Sequence, residues 1–266
     1  MTPTNPPSSS PNSHAKPIRT RVGVLRYLAV LIGLLSAGPS AAGLCPGELE
    51  RAKNLRQRID QEWPLRSSGD EATQFIQKLG IRLAQHSADG GGIPWRFAVV
   101  RNLAPNAFSI GGGYVYVTEG AITFSQNESE LAAILAHELG HELAGHFCGQ
   151  AVNSDSRGFF DIFSDSPPPE RHEVGSGSVL QTIDPRKEEQ ADQIAVVILR
   201  AAGYRPEALL QVARRLPTEG EAHLQEPRRI QSLERLVAGY READGPPDSA
   251  AFQAVRRTLM GEGRRR

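Results

Sequence analysis

The sequence predicts an α+β fold in which helices predominate and the β-sheet is small. Apolar residues recur at helical spacing in several segments, the first two being 47–62 and 70–88. Two short runs, 95–100 (WRFAVV) and 114–118 (YVYVT), are rich in β-branched and aromatic residues, which predicts strands. Hydrophobic residues make up 39% and charged residues 23% of the 266-residue chain, a composition typical of a globular domain.

The charge balance and the cysteine count exclude several functional classes. The chain carries 30 basic and 30 acidic side chains, whereas a dedicated nucleic-acid-binding domain has a clear basic excess. Aromatic residues make up 6%, too few to favour a base-stacking surface. The chain has 2 cysteines, which cannot form a cysteine-rich scaffold or a multi-cysteine zinc site. No nucleic-acid partner is therefore expected.

Residues 1–42 have the features of a secretory signal peptide. A Pro- and Ser-rich segment, 1–17, precedes basic residues and an apolar run at 27–37, which has about half of the roughly 20 residues needed to span a bilayer. Small residues follow, and Ser40 and Ala42 fit signal-peptidase cleavage after Ala42. We expect export to the periplasm, with an uncleaved membrane anchor or a buried helix as the alternatives.

Cys45 lies just past the predicted cleavage point and has two interpretations. Lipid anchoring is one, although the bulky Leu44 before it departs from the small residue usual before a lipidated cysteine. A disulfide with Cys148 is the other, since exported proteins retain disulfides. That bond would close a loop of about 100 residues, worth on the order of 4 to 5 kcal/mol in the chain-entropy model.

A long helix is predicted in the middle of the chain, ending near His146. Its capping box is formed either by Ser125 with Glu128 or by Asn127 with Glu130. Leucine and isoleucine side chains then recur along it at helical spacing, so one face is expected to pack in the core.

The remaining segments predict one domain over 43–240 and a helical, basic tail over 241–266. Residues 153–184 are polar and contain glycines and prolines, which predicts a long loop. This loop is either a lid over a cleft or a disordered insertion. Three more helices are predicted, at 184–203, 206–216 and 227–239.

His137-Glu138-Leu139-Gly140-His141 is an H-E-x-x-H motif within the long helix. Residues four apart project from one helix face, so both imidazoles can reach one metal ion. Glu138 lies one residue round the helix, where it can act as a general base on water. A catalytic zinc takes three protein ligands and keeps one position open, so a third ligand is needed.

Glu188 is the candidate third ligand, with Glu189 as the rival. Glu188 and Asp192 are again four residues apart on a predicted helix. One can therefore ligate the metal while the other hydrogen-bonds the second ring nitrogen of a ligand histidine. The alternative is an ordinary acidic first turn, which the helix dipole favours.

Four sequence blocks resemble those of the zinc metallopeptidases of peptidase family M48. They are the N-A-F-x-x-x-G-G block at 106–118, the H-E-x-G-H helix at 137–146, the E-x-x-A-D helix at 188–192, and an H-x-x-x-x-x-R-I block that includes His223 and Arg229. The resemblance covers roughly residues 70–240.

The resemblance implies a mostly helical, gluzincin-type zincin fold with one zinc ion per chain. Its zinc ligands would be His137, His141 and Glu188, and Asp192 would orient a ligand histidine. Glu138 would be the general base and then the proton donor to the leaving amine. His223 would lie near the open coordination position, where it either stabilises the oxyanion or caps the metal in a latent state.

The resemblance also implies a strand that binds substrate at the rim of the cleft. This edge strand would begin at the glycine loop and continue to Val117, with its main contacts from Gly111, Gly112, Gly113, Tyr114 and Val115. Main-chain pairing captures an extended peptide with modest side-chain selectivity, which favours unfolded substrates.

We therefore predict a zinc metalloendopeptidase that cleaves unfolded or misfolded envelope proteins in periplasmic protein quality control. The alternative is a chaperone-like module that binds the same proteins while its metal site stays latent. An intact Glu138 favours the enzyme, because a binding module needs no general base. Neither a tetratricopeptide array nor a multi-span membrane region is expected, and peripheral contact of the basic tail with anionic lipid is kept open.

Overall fold

The computed structural model describes residues 44–88, 90–148, 184–216, 227–240 and 245–265. The predicted signal peptide at 1–42, nearly all of the predicted loop at 153–184, and His223 lie outside the described residues. The structural statements below concern the described part of the chain.

Two helices open the described chain, each within three residues of its predicted limits. α1 spans Glu48–Glu62 and α2 spans Glu71–Gln85. α2 begins where the Asp70 carboxylate accepts a hydrogen bond of 2.9 Å from the N–H of Ala72, which satisfies one of the N–H groups that a helix start leaves unpaired. A 3-10 turn, Gly90–Gly92, then leads into the sheet.

The sheet has three strands in the described chain, β1 (Arg96–Val100), β2 (Ala107–Ser109) and β3 (Tyr114–Thr118). β1 and β3 confirm the two predicted strands, whereas the three-residue β2 was not predicted. The order is β1–β3–β2, with β1 parallel and β2 antiparallel to β3. Val115 and Val117 face the main core, and Tyr114 and Tyr116 face a smaller cluster against α1.

The expectation that residues 114–117 form an edge strand is wrong, because β3 is the central strand. Its backbone pairs with β1 on one side and β2 on the other, and all five of its residues are buried. A strand paired on both sides has no main-chain groups left for a substrate. The order of strands is a long-range property that the local pattern of YVYVT does not contain.

Six helices follow the sheet within the described ranges. They are α3 (Glu119–Phe124), α4 (Glu128–Leu143), α5 (Pro185–Ala201), α6 (Glu207–Arg215), α7 (Pro227–Val237) and α8 (Ala250–Gly263). α4 to α7 match the predicted helices, and the predominance of helices over one small sheet confirms the α+β fold. Within the described ranges, no helix is both long and apolar enough to cross a bilayer.

The pair α4 and α5 forms the centre of the fold, and a glycine sets how closely these helices approach. A Cβ atom on Gly140 of α4 would lie 2.5 Å from the backbone oxygen of Ala191 on α5 and 2.9 Å from its Cα. No side chain fits between the helices at this point, so their backbones are in direct contact. This contact lies beside both the H-E-x-x-H segment and Glu188.

Cys45 and Cys148 form a disulfide, with their Cα atoms 5.5 Å apart. The bond ties the segment before α1 to the turn that follows α4. The disulfide interpretation of Cys45 is thereby supported over lipid anchoring, because a sulfur in a disulfide cannot carry a thioether-linked lipid.

The predicted basic tail contributes to the same core as the rest of the chain. Phe252, Val255 and Leu259 of α8 are buried in the main cluster. Arg66, itself buried, donates to Glu119 of α3 and, at 3.0 and 3.3 Å, to Glu262 of α8. The helix in the tail is therefore packed and ion-paired and is not a solvated appendage.

Candidate metal centre

The helix that carries the H-E-x-x-H motif starts at a capping box. The Asn127 side chain accepts a 3.0 Å hydrogen bond from the N–H of Glu130, and the Glu130 carboxylate accepts one of 2.7 Å from the N–H of Gln126. The second of the two predicted capping pairs is thus the one that forms. The cap fixes where α4 begins and therefore which of its residues face α5.

His137, His141 and Glu188 converge on one point. The two Nε2 atoms lie 3.1 Å apart, and each lies 3.2 Å from a different oxygen of the Glu188 carboxylate. Tetrahedral zinc with ligands at about 2.0–2.1 Å requires ligand atoms about 3.3 Å from one another. The spacing of the three ligand atoms therefore fits a zinc ion.

Hydrogen bonds leave the Nε2 lone pair of His137 directed at this point. The Nδ1 atom of His137 lies 2.9 Å from an oxygen of Asp192, which as a carboxylate can only accept. Nδ1 therefore carries the proton, and Nε2 keeps its lone pair for a metal. Asp192 thus has the geometry expected of a residue that orients a ligand histidine.

A second relay, which the sequence did not predict, fixes the tautomer of His141. His146 Nε2 lies 3.2 Å from Gln190 Oε1, an acceptor, so Nε2 of His146 donates and its Nδ1 accepts. The Nδ1 of His141, 2.9 Å away, must then be the donor, which leaves its Nε2 lone pair toward Glu188. Only the position of His146, five residues after His141, could have hinted at this contact.

The rival ligand Glu189 lies on another face of α5. It is exposed, and its carboxylate accepts a 2.5 Å hydrogen bond from Ser232 of α7. Glu188, by contrast, is buried next to both histidines. The structure therefore brings Glu188, and not Glu189, to the two imidazoles.

Arg229 of α7 clamps the acidic side of the site and was given no role from the sequence. Its guanidinium donates to both oxygens of Asp192, at 2.8 Å each, and approaches Glu188 at 3.0 Å. The planar fork of arginine suits this two-oxygen contact. Arg229 thereby holds the two acidic side chains of α5 in place and links α7 to the site.

The pKa shifts follow from burial and from these contacts. Burial disfavours the charged imidazole and holds the pKa of His141 below its usual value. Burial acts on His137 in the same way, but hydrogen bonds to Asp192 and Glu188 outweigh it and raise the pKa of His137. Burial opposes ionisation of Asp192, yet His137 and Arg229 hold the pKa of this carboxyl below its usual range. Asp192 is thus charged and can accept a hydrogen bond from His137 Nδ1.

Glu138 lies on α4 next to His137 and is buried. Its charge contributes to the pKa shifts of His141, Glu142 and Arg229, so Glu138 interacts electrostatically with groups of the site. Its role as a general base stays a prediction.

The glycine loop before β3 is held by two buried carboxylates. Glu142 of α4 accepts from the N–H groups of Gly111 and Gly113, at 2.9 and 3.1 Å, and Glu48 of α1 accepts from Gly112 at 3.0 Å. All three glycines have positive φ, a conformation that other residues rarely adopt. The N–H groups of Gly111, Gly112 and Gly113 are thus bonded inside the protein, and contact of these residues with substrate stays a prediction.

The Glu142 carboxyl has a pKa well above its usual value. Burial, together with the nearby charge of Glu48, raises its pKa to about 8 against the lowering effect of the glycine N–H groups. Through its hydrogen bonds with Glu48 and Glu142, the glycine loop joins α1 and α4 to β3.

Comparison with known proteins assigns the region that contains the H-E-x-x-H helix. Peptidase family M48 matches residues 71–159. This part of the chain is similar to the peptidases of that family. The resemblance found in the sequence is thereby confirmed.

Similarity to individual proteins extends beyond residues 71–159. The beta-barrel assembly-enhancing protease of Escherichia coli (strain K12) is 25% identical over 209 residues, which cover 73% of this chain and 38% of that protein. The protein of the same name from Yersinia pestis is 27% identical over 221 residues, 71% of this chain and 45% of its own. The mitochondrial metalloendopeptidase OMA1 of Schizosaccharomyces pombe is 44% identical over 54 residues, 20% of this chain and 16% of its own. The chain therefore spans less than half the length of these relatives.

Proposed function

We propose that this chain is a zinc-dependent metalloendopeptidase that hydrolyses peptide bonds of unfolded or misfolded envelope proteins after export to the periplasm. The observation that carries the proposal is the convergence of His137 Nε2, His141 Nε2 and the Glu188 carboxylate at 3.1–3.2 Å, with Glu138 beside them. The relationship to peptidase family M48 supports the same activity.

One zinc ion would be held by His137, His141 and Glu188. When bound there, zinc supplies Lewis-acid chemistry and lowers the pKa of water toward neutrality. Glu138 accepts a proton from the attacking water and then passes it to the leaving amine, so that one carboxylate serves as base and acid in turn. Asp192 and His146 hold the two imidazoles in the tautomers that keep both Nε2 atoms as ligands.

We propose that the substrate is bound as an extended chain through main-chain hydrogen bonds, which would select unfolded chains over folded proteins. β3, whose backbone is paired on both sides, is not the strand that offers these hydrogen bonds. His223, whose role stays a prediction, is assigned no step.

The proposal is tested by proteolysis of a matched folded and unfolded substrate. Native α-lactalbumin and its reduced, alkylated form would be incubated with zinc-loaded wild type, with Glu138→Gln, and with wild type stripped by a chelator. We expect cleavage of the unfolded form alone, by zinc-loaded wild type alone. Zinc content and a circular dichroism spectrum of each sample show that the variant is folded and loaded.

Three results would contradict parts of this proposal. Absence of bound zinc in folded wild type would mean that the three ligands are misassigned. Stoichiometric zinc without cleavage would favour a chaperone-like binder, which suppression of aggregation of the unfolded substrate would then reveal. Equal cleavage of native and unfolded lactalbumin would remove the preference for extended chains.

A further inference from the structure

A cavity of about 340 Å³ opens beside the metal centre, between the start of α5 and the face of α7. Glu188 and Arg229, which belong to the metal centre, form one part of its wall. Its remaining charged lining consists of three arginines and one further glutamate, namely Arg186, Arg228, Arg235 and Glu189. Positive groups therefore outnumber negative ones around a cavity that shares Glu188 and Arg229 with the metal centre.

The two acidic groups of the wall are already engaged. Glu188 contacts Arg229 at 3.0 Å as well as both histidines, and Glu189 accepts a hydrogen bond from Ser232. The negative charge of the wall is thus held at its α5 side.

Arg228 and Arg235 are the two exposed arginines that α7 contributes to the cavity. Both line the cavity, both are exposed, and neither has a hydrogen bond or an ion pair to another residue in the described chain. Arg229, between them in sequence, is by contrast committed to Asp192 and Glu188. Arg186 has a partner in Asp184, at 3.5 Å. The guanidinium groups of Arg228 and Arg235 can therefore bind a small molecule or peptide group in the cavity. Glu188, a predicted metal ligand, lines the same cavity.

We propose that this cavity binds a carboxylate of the peptide substrate, held by Arg228 and Arg235, and so gives the enzyme a preference for acidic residues close to the scissile bond. The inference rests on the proposed peptidase function and names a substrate class for it. An extended chain advances about 3.3 Å per residue, so a group seated beside Glu188 belongs to a residue near the bond that is cut. The carboxylate comes either from an Asp or Glu side chain or from the C-terminus of the peptide.

The size and chemistry of the cavity suit this ligand. Ligand pockets run from about 300 to 1,000 Å³, and a cavity at the lower end accommodates a side chain or a chain terminus, not a large cofactor. Arginine binds carboxylates through two parallel N–H groups, which gives it selectivity over neutral amides of the same shape. Because both arginines are exposed to solvent, the preference should weaken at high ionic strength.

The test measures binding separately from cleavage, on the full chain. Zinc-loaded Glu138→Gln would be titrated into four fluorescein-labelled peptides of one sequence, observed by anisotropy. They carry Glu or the isosteric Gln at the central positions, each with a C-terminal carboxylate or a C-terminal amide. We expect about tenfold tighter binding of the peptide that carries the recognised carboxylate, falling to about threefold in 0.5 M salt. If affinity differs between the Glu and Gln peptides, the recognised carboxylate is the side chain. If affinity differs between the peptides with a C-terminal carboxylate and those with an amide, it is the C-terminus.

Variants assign the preference to the two arginines. Arg228→Gln combined with Arg235→Gln in this background should bring the affinity of the preferred peptide to that of its neutral counterpart. Arg257→Gln, on the exposed face of α8, is the matched control and should retain the preference. As a check against misfolding, Arg228→Glu combined with Arg235→Glu should reverse the selectivity toward a peptide with Lys at the central positions.

The outcomes separate this inference from the function on which it rests. If all four peptides bind equally, while wild type cleaves unfolded protein, the arginine cavity has no role in selectivity and the peptidase function stands. If a preference exists but survives the double variant, the inference is also wrong. If the zinc-loaded protein neither binds any peptide nor cleaves unfolded protein, both the inference and the proposed function fail.

Discussion

Adding a single methyl group at Gly140 should disrupt zinc binding far more than it disrupts folding. The Cβ of Gly140→Ala would lie 2.5 Å from the backbone oxygen of Ala191 on α5. An ordinary carbon–oxygen contact is about 3.3 Å or longer, so α5 must move by about 0.8 Å. Since α5 carries Glu188, the third ligand moves with it.

The free energy of unfolding should change little, because two effects oppose each other. Overpacking costs typically about 1–3 kcal/mol. Replacing a helical glycine by alanine contributes about 1 kcal/mol in favour of the helix. Zinc ligation, however, tolerates deviations of only about 0.2 Å in ligand distance, and a displacement of about 0.8 Å exceeds that. We therefore expect a net loss of about 0–2 kcal/mol of stability but at least about a 100-fold rise in the zinc dissociation constant.

The assay is zinc affinity by competition with a chromophoric chelator, together with thermal unfolding of the metal-free protein. Gly120→Ala is the control, because its Cβ would lie 2.2 Å from the backbone oxygen of Leu103 and 2.5 Å from that of Ala104, a clash at least as severe on α3 away from the ligands. This control should lose stability and keep its zinc affinity. If Gly140→Ala binds zinc within threefold of wild type, the contact between α4 and α5 does not set the ligand spacing.

Three further predictions follow from other contacts. Asp192→Asn should weaken zinc binding about 10–100-fold, because the amide can no longer fix the tautomer of the ligand it contacts; an unchanged chelator titration would contradict this. Replacing Cys45 and Cys148 by serine should lower the free energy of unfolding by about 4.7 kcal/mol, the chain-entropy value for a loop of about 100 residues, measured by urea titration. Asp70→Ala should cost about 0.5–2 kcal/mol through loss of the α2 cap, and Asp70→Asn less. Although partial burial opposes it, the hydrogen bond from Arg66 holds the pKa of Asp70 below its usual value, so the deficit of Asp70→Asn should be present at neutral pH and vanish as the pH falls below about 4.

The elements that local patterns determine could be predicted from the sequence, and those that depend on long-range pairing could not. α4 and its ligands follow from helical spacing and a capping box, both contained in about twenty consecutive residues. The position of β3 at the centre of the sheet depends on its partner β2, which has three residues and no pattern of its own.

The glycine loop shows the same limit at the level of single hydrogen bonds. A run of three glycines predicts close approach of another group, but not which group. The partners are Glu142, some 30 residues downstream, and Glu48, some 60 residues upstream, and neither position is marked in the sequence. Arg229 and His146 were missed for the same reason, since Arg229 contacts Asp192 on another helix and the orientation of His146 depends on Gln190, also on another helix.

The ion pairs of Arg66 with Glu119 and Glu262 make completion of the fold depend on α8, the last helix of the described chain. Arg66 lies early in the described chain and is buried, yet two of its hydrogen bonds go to Glu262, near the end of α8. A chain delivered from its N-terminus lacks one of the acidic partners of Arg66 until nearly the last described residue has emerged, and loss of a partner from a buried ion-pair cluster is destabilising. Phe252 also joins the core only at that stage. The core that supports the two helices bearing the predicted metal ligands would therefore be complete only once α8 has packed against it.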